Sequence, residues 1–99
     1  MVNHYVFWNL NDSLTAEEKK KAAQTIKEKL EAVKKLVPGV VSLEVRINEL
    51  ESSNRDVALI SSFESVEALQ GYQVHPEHVK AAGYVRSVTC DRTCFDFEA

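Results

Sequence analysis

The sequence predicts an α+β fold with the element order β-α-β-β-α-β. Two short segments, 2–10 and 57–63, are apolar enough to form strands buried on both faces. Two longer segments each place apolar residues at helical spacing behind a capping residue. Glycine and proline number only 3 and 2, too few for a linker. We therefore expect residues 1–99 to form one domain.

Residues 2–10 are the first predicted strand. Strict alternation places His4, Val6 and Trp8 on one face and Tyr5 and Phe7 on the other. Because both faces are largely apolar, the strand is expected at the centre of its sheet rather than at an edge.

The first helix is predicted to begin after Thr15, which forms a capping box with Glu18. Pro38 and Gly39 are expected to end this helix. The apolar positions that recur along it at helical spacing are Ala22, Ala23, Ile26, Leu30, Val33 and Val37.

Residues 40–48 alternate between apolar and polar side chains, which is typical of a half-exposed edge strand. Residues 57–63 follow a polar turn and form the second central strand. In this strand Leu59 and Ser61 are expected to point inward.

The second helical region is predicted to contain a break. Ser65 can cap a helix from Val66 to about Val74, and Pro76 suits the start of a further segment that runs to about Ser87. His75 is expected to cap that segment. Residues 88–97 form the last predicted strand, with Phe95 and Phe97 on one face.

This order is the ferredoxin-like arrangement, in which the first and third strands lie in the middle of a four-stranded antiparallel sheet. Its helices can cover only one face. Tyr5, Phe7 and Ile60 would form an apolar patch on the other face, and the simplest cover is the same face of a second copy. We therefore expect a homodimer through the uncovered sheet face.

Several short segments spread along the chain carry a family resemblance. They are Val2-Asn3-His4, Val37-Pro38-Gly39, Ser42-Leu43-Glu44-Val45, Phe63-Glu64-Ser65-Val66-Glu67-Ala68-Leu69, Tyr72 with His75-Pro76-Glu77-His78, and Phe95-Asp96-Phe97. Together and in this order they resemble the Dabb family, the stress-responsive α/β-barrel domain. The resemblance implies a dimer whose two sheets close into a barrel with the helices outside.

Around the helix break the chain is similar to the olivetolic acid cyclase type, a branch that closes linear polyketides by an intramolecular aldol reaction. That similarity implies catalytic roles for His4, Tyr72 and His78. It implies no cofactor and a small apolar or carbonyl-containing ligand between sheet and helices. The expected wall residues are Val6, Trp8, Leu59 and Ser61. The small residues Ala22 and Ala23 depart from the aromatics that this branch carries in its first helix.

His78 and Tyr72 suit an aldol reaction, because a neutral imidazole can act as a general base and a tyrosine hydroxyl can donate to an enolate oxygen. Alternatively, His78 only fixes the helix break and Tyr72 only packs, so that the chain is a non-enzymatic stress-related structural protein with a vestigial pocket. His4 is then a core histidine. A monooxygenase or haem-modifying protein shares the dimeric fold, but no haem attachment motif appears. His75 and His78 have no evident third ligand, so no metal site is predicted.

Composition limits the partners. The net charge is −3 and the pI about 5.6, which disfavours nucleic acid and anionic membranes. No apolar run reaches the ~20 residues of a membrane span, and the first residues do not resemble a signal peptide, so a cytoplasmic location is expected.

Cys90 and Cys94 are too far apart on one strand to bridge, so we expect two free thiols packing one strand face.

Overall fold

The computed structural model of the chain describes every residue from Met1 to Ala99. Its four strands form one antiparallel sheet in the order β2-β3-β1-β4. The elements are β1 (Val2–Leu10), α1 (Ala16–Val33), β2 (Val40–Ile47), β3 (Val57–Phe63), α2 (Val66–Val74), α3 (Pro76–Val88) and β4 (Thr89–Glu98). The predicted ferredoxin-like topology is confirmed, with β1 and β3 at the centre of the sheet.

The alternation of β1 separates the two faces of the sheet as predicted. Every second residue from Val2 to Leu10 is buried against the helices, and the residues between them are half-buried on the opposite face. On the helix-covered face, His4 lies directly between Ser61 of β3 and Asp96 of β4. We call this the inner face and the uncovered one the outer face.

The first helix starts as predicted but ends earlier. Thr15 and Glu18 form both hydrogen bonds of the capping box. The prediction that the helix continues to Pro38-Gly39 is wrong, because it ends at Val33 and a turn follows. Pro38 disfavours helical geometry at Val37, which keeps the helix from reaching Pro38 but does not fix its end at Val33.

Gly39 then makes the turn into β2. Its φ is +85°, and a Cβ there would lie 2.6 Å from the Ala68 Cβ, so only glycine fits.

The predicted helix break lies at His75. Ser65 caps α2 through its hydroxyl, which accepts from the backbone N–H of Ala68 at 3.1 Å. His75 adopts an extended conformation, and its Nδ1 accepts from the backbone N–H of Glu77 at 3.2 Å, so its predicted capping role is confirmed. Pro76 is the first residue of α3. The direction of the chain changes here, which places Tyr72 and His78 on either side of one joint.

The core lies between the inner face and the three helices. Its members include Val6, Ile26, Val45, Phe63 and Tyr72, none more than 1% exposed. None of the helices is both long and apolar enough to cross a membrane.

Apolar side chains also gather on the outer face, where no helix covers them. The Tyr5 and Phe97 rings meet edge to face at 5.5 Å, and the Phe95 and Phe97 rings lie 5.8 Å apart. Phe95 is 63% exposed. Phe7 and Ile60 occupy the same face of β1 and β3.

The two cysteines are free, but they do not share a face. The register between β1 and β4 shifts between Phe7 and Asn9, and Asp91 has a positive φ of 54°. This bulge adds one residue to β4, so Cys94 pairs with Val6 on the inner side and Cys90 with Asn9 on the outer side. The expectation that both thiols pack one strand face is therefore wrong.

Candidate functional site

A pocket of about 200 Å³ opens between the inner face and the helices. Its volume is below the roughly 300–1,000 Å³ of sites for drug-sized ligands, so it suits a small molecule. The lining residues are His4, Val6 and Trp8 of β1, Leu30 of α1, Leu59 of β3, His78, Ala82, Val85 and Arg86 of α3, and Arg92 of β4. Apolar walls with a few polar groups are typical of ligand sites.

His78 lies in the first turn of α3 and forms part of the pocket wall. Its Nδ1 donates to the backbone carbonyl of Gln73 at 3.1 Å. That bond places the ring proton on Nδ1 and leaves the lone pair of Nε2 free. Burial lowers the pKa of His78 below its ordinary value, with minor contributions from the charges of His4, Arg86 and Arg92. The imidazole is therefore neutral near pH 7, the form that a general base requires.

Tyr72 lies directly behind His78 rather than on the pocket wall. Its ring centroid is 4.3 Å from that of His78 and 4.9 Å from that of Phe63. The residue is completely buried, and its hydroxyl has no hydrogen-bond partner in the folded chain. Burial also raises the pKa of Tyr72, so the hydroxyl keeps its proton as a potential donor. A buried hydroxyl without a partner is unusual and energetically unfavourable.

His4 is held by a carboxylate on the neighbouring strand. Its Nδ1 lies 2.5 Å from Oδ1 of Asp96, its partner across the β1–β4 ladder. His4 is 2% exposed, whereas the Asp96 side chain is 41% exposed. With Nδ1 bonded to the carboxylate, Nε2 is the ring nitrogen left for a ligand. Such a bond fixes the orientation and the tautomer of the imidazole.

The expected wall residues divide into two groups. Val6, Trp8 and Leu59 line the pocket together with His4. Ser61 does not, because its fully buried hydroxyl donates to the backbone carbonyl of His4 at 2.7 Å. Ser61 thus satisfies a backbone acceptor in the centre of the sheet beside the pocket.

Three polar residues of the site escaped sequence reasoning. Asp96 was noted only within the Phe95-Asp96-Phe97 segment, although the antiparallel register of β1 and β4 places it opposite His4. Arg86 lies on the wall one turn after Ala82. Arg92 reaches the inner side next to the bulge at Asp91, and no sequence signal marks that bulge.

The ligand atoms of His4, Cys94 and Asp96 all lie within 4.8 Å of one another, which is the spacing of a possible metal site. The thiol lies 3.7 Å from the His4 Nδ1 and 3.5 Å from the Asp96 Oδ1. However, two ligands of one tetrahedral zinc are separated by about 3.3 Å, given bonds of 2.0–2.2 Å. The Nδ1–Oδ1 separation of 2.5 Å is instead that of a hydrogen bond. The cluster is a hydrogen-bonded network in this conformation.

A larger cavity of about 460 Å³ lies on the outer face. It is an open cup between Phe7, Ala58 and the loop that joins β2 to β3, which includes Leu50 and Arg55. None of the histidines lines it. We assign the candidate site to the smaller pocket, because the larger cup lies on the uncovered sheet face and contains no imidazole.

The pocket thus has a neutral imidazole and a carboxylate-bound imidazole on its wall, with a buried hydroxyl behind the first of them. These are the groups that a proton transfer next to a carbonyl requires.

Residues 2–99 match the sequence profile of the stress responsive A/B barrel domain family. No curated protein matches the chain. Among solved structures, a dimeric protein of unknown function with a ferredoxin-like fold from Bacteroides fragilis NCTC 9343 superposes with a TM-score of 0.93 and 31% identity, over 99% of this chain and 95% of that one.

Two further solved structures are similar in fold at lower identity. A dimeric ferredoxin-like protein of unknown function from Thermobifida fusca has a TM-score of 0.80 and 22% identity, over 99% of this chain and 90% of that one. The hydroxynitrile lyase from Passiflora edulis has a TM-score of 0.79 and 15% identity, over 97% and 90%.

Proposed function

The chain belongs to the stress responsive A/B barrel domain family, and from this membership and the pocket we propose that it is a homodimer that binds a small carbonyl compound. The ligand site of each protomer lies between its own sheet and helices. There, we propose, His78 removes a proton from the carbon next to the carbonyl group, as in a cofactor-independent cyclase or lyase of the aldol type.

The observation that carries the proposal is the environment of His78. Its Nδ1–H is bonded to the Gln73 carbonyl, its pKa is lowered by burial, and it lies on the wall of an apolar pocket. The bond to Gln73 also joins α3 to α2 across the break, so the position of His78 on the pocket wall, rather than that bond, is what favours the base function. Catalytic bases are commonly poised in this way, neutral at the working pH and close to the bound ligand.

The proposed step is balanced by the residues present. Nε2 of His78 takes the α-proton, and the C–H electron pair moves to the carbonyl oxygen to form an enolate. We propose that the Tyr72 hydroxyl, which has no partner in the folded chain, donates to that oxygen when its ring moves into the pocket. The enolate carbon attacks a second carbonyl of the same molecule. The new alkoxide then receives the proton that His78 removed, which returns Nε2 of His78 to its free form.

The homodimer is proposed through the outer face. Its support is the cluster of Tyr5, Phe7, Ile60, Phe95 and Phe97, which no helix covers, and the description of the Bacteroides fragilis relative as dimeric. A standard interface of this kind buries about 1,600 Å² in total. Because helices cover the inner face, this assembly leaves the pocket of each protomer accessible.

The base function can be tested without knowing the natural substrate. In D₂O, the α-protons of 2-heptanone exchange slowly with solvent, and the loss of their ¹H signals reports proton abstraction. We expect the protein to accelerate this exchange and His78→Ala to lower the catalysed rate by about 10²- to 10⁴-fold. His75→Asn is the matched control, since it removes a histidine from the same joint but keeps a good helix cap. Exchange that wild type does not accelerate would contradict the base function.

A structural role with a vestigial pocket is the second candidate. It is favoured by the small volume of the pocket and by the position of Tyr72 behind the wall. This candidate predicts a stable dimer with no exchange activity and no ligand-induced change at His4 or His78.

A further inference from the structure

The charges around the pocket point to more than a neutral carbonyl compound. The chain as a whole is acidic, with a net charge of −3. The pocket wall, in contrast, contains two arginines, Arg86 and Arg92, and no carboxylate. A local excess of positive charge in an acidic protein requires an explanation.

The two arginines approach the pocket from different elements. Arg86 comes from α3 and Arg92 from β4, and both are exposed, so they lie at the mouth while the apolar walls lie deeper. Neither belongs to any of the ion pairs of the chain. Their charges also reach the interior, since both help to lower the pKa of His78.

The carboxylate that holds His4 is already engaged. Asp96 is bonded to His4 and lies against the thiol of Cys94. Two guanidinium groups at the mouth of an apolar pocket thus remain available to an anion. Arginine is well suited to bind carboxylates, because its planar N–H fork matches the two carboxylate oxygens.

We infer that the ligand is an amphipathic carboxylate, specifically a keto acid whose carbonyl end lies against His78 and whose carboxylate is bound by Arg86 and Arg92. This inference rests on the proposed function, because it adds an anionic end to the same carbonyl ligand. The arginines would act as binding and positioning residues: they fix which end of the molecule enters the pocket.

Trp8 provides a direct readout of binding, since it is the only tryptophan and lies on the pocket wall. Two probes differ only at the far end of the same seven-carbon ketone: 6-oxoheptanoate carries a carboxylate there, and 2-heptanone carries a methyl group. Methyl 6-oxoheptanoate keeps the size of the acid without its charge. Each is titrated into the protein while the Trp8 emission is followed.

We expect 6-oxoheptanoate to bind about tenfold more tightly than its methyl ester at low salt, and the difference to shrink as ionic strength rises. Arg86→Gln and Arg92→Gln should each weaken binding of the acid about threefold, the scale of one solvent-exposed ion pair, and weaken binding of the ester less. Arg86→Lys should retain part of the preference. Lys80→Gln is the matched control, because it removes one positive charge from α3 away from the pocket wall.

The possible outcomes distinguish the carboxylate inference from the proposed function. Equal affinity for acid and ester, or an acid preference that survives both arginine substitutions, would overturn the carboxylate inference while leaving the carbonyl pocket intact. Failure of all three probes to alter the Trp8 emission would contradict both the inference and the proposed function. A loss of acid binding in Lys80→Gln equal to that in Arg86→Gln would also overturn the inference, since it would reflect net charge alone.

Discussion

The two faces of β1 carry different kinds of residues although they belong to the same nine-residue strand. On the inner face His4, Val6 and Trp8 are at most 7% exposed and border a small pocket. On the outer face Tyr5 and Phe7 are half-buried and adjoin Phe95, which is 63% exposed. One strand therefore separates the proposed ligand site from the proposed assembly surface, and substitutions only one position apart should affect different properties.

The largest effect is expected from Phe7→Asp on the outer face. It would place an unpaired charge at the centre of the proposed interface, at a cost on the order of 5 kcal/mol. Analytical ultracentrifugation at micromolar concentration should show the wild type as a dimer and the variant as a monomer or an unfolded chain. Gln24→Glu, which adds the same charge on the exposed side of α1, should stay dimeric. A wild-type monomer would refute the assembly.

Leu59→Ala removes side-chain volume from the inner face. It should lower the stability of the fold without dissociating the dimer. Leu59 is 3% exposed, so its truncation should lower the free energy of unfolding by about 2–5 kcal/mol. The variant should nevertheless remain a dimer in the folded state. Denaturant unfolding and sedimentation of the same sample measure both quantities. A folded Leu59→Ala monomer would show that the two faces are not independent.

Tyr72→Phe should have opposite effects on stability and on chemistry. The hydroxyl is buried without a partner, so its removal should raise the free energy of unfolding by about 1 kcal/mol. The same change should slow the catalysed exchange of 2-heptanone about 10²-fold, as expected for the loss of one oxyanion donor. A variant that is less stable than wild type would indicate that the hydroxyl already has a partner within the protein.

The smallest effect concerns pH. Burial lowers the pKa of His78 in the folded state below its ordinary value of 6.5. The unfolded chain therefore binds the proton more readily, and the neutral ring contributes stability that is complete above pH 6.5. That contribution is lost as the pH falls through the folded pKa.

Unfolding free energies measured from pH 7.5 to 5 should therefore decrease more steeply in wild type than in His78→Gln. Identical slopes would mean that His78 titrates as it does in the unfolded chain.

Much of the fold could be predicted because it follows from local patterns. The alternation of β1, the capping box at Thr15 and the cap at His75 each depend on neighbouring residues, and all three are confirmed. The early end of α1 and the opposite positions of Cys90 and Cys94 were missed. No local signal marks the end of α1 at Val33, and the cysteine positions depend on a bulge that alters the register without altering hydrophobic periodicity.

The candidate site was predictable only in part. The family motif and the helix break indicated His4 and His78, which the structure brings to one pocket. Asp96, Arg86 and Arg92 depend on strand register, helix phase and the bulge at Asp91. Those are contacts between elements that are distant in sequence, and no local pattern encodes them.

The most direct test of the account uses the three histidines of the chain in one experiment. Long-range ¹H–¹⁵N spectra resolve the ring nitrogens of His4, His75 and His78 and report their tautomers and surroundings. The account predicts that His78 is protonated on Nδ1 in the free protein. It also predicts that 6-oxoheptanoate or 2-heptanone shifts the His4 and His78 signals but not those of His75, which caps α3 away from the pocket wall. Shifts confined to His75, or no shift at any histidine while residues of the outer face respond, would contradict a carbonyl site between the sheet and the helices.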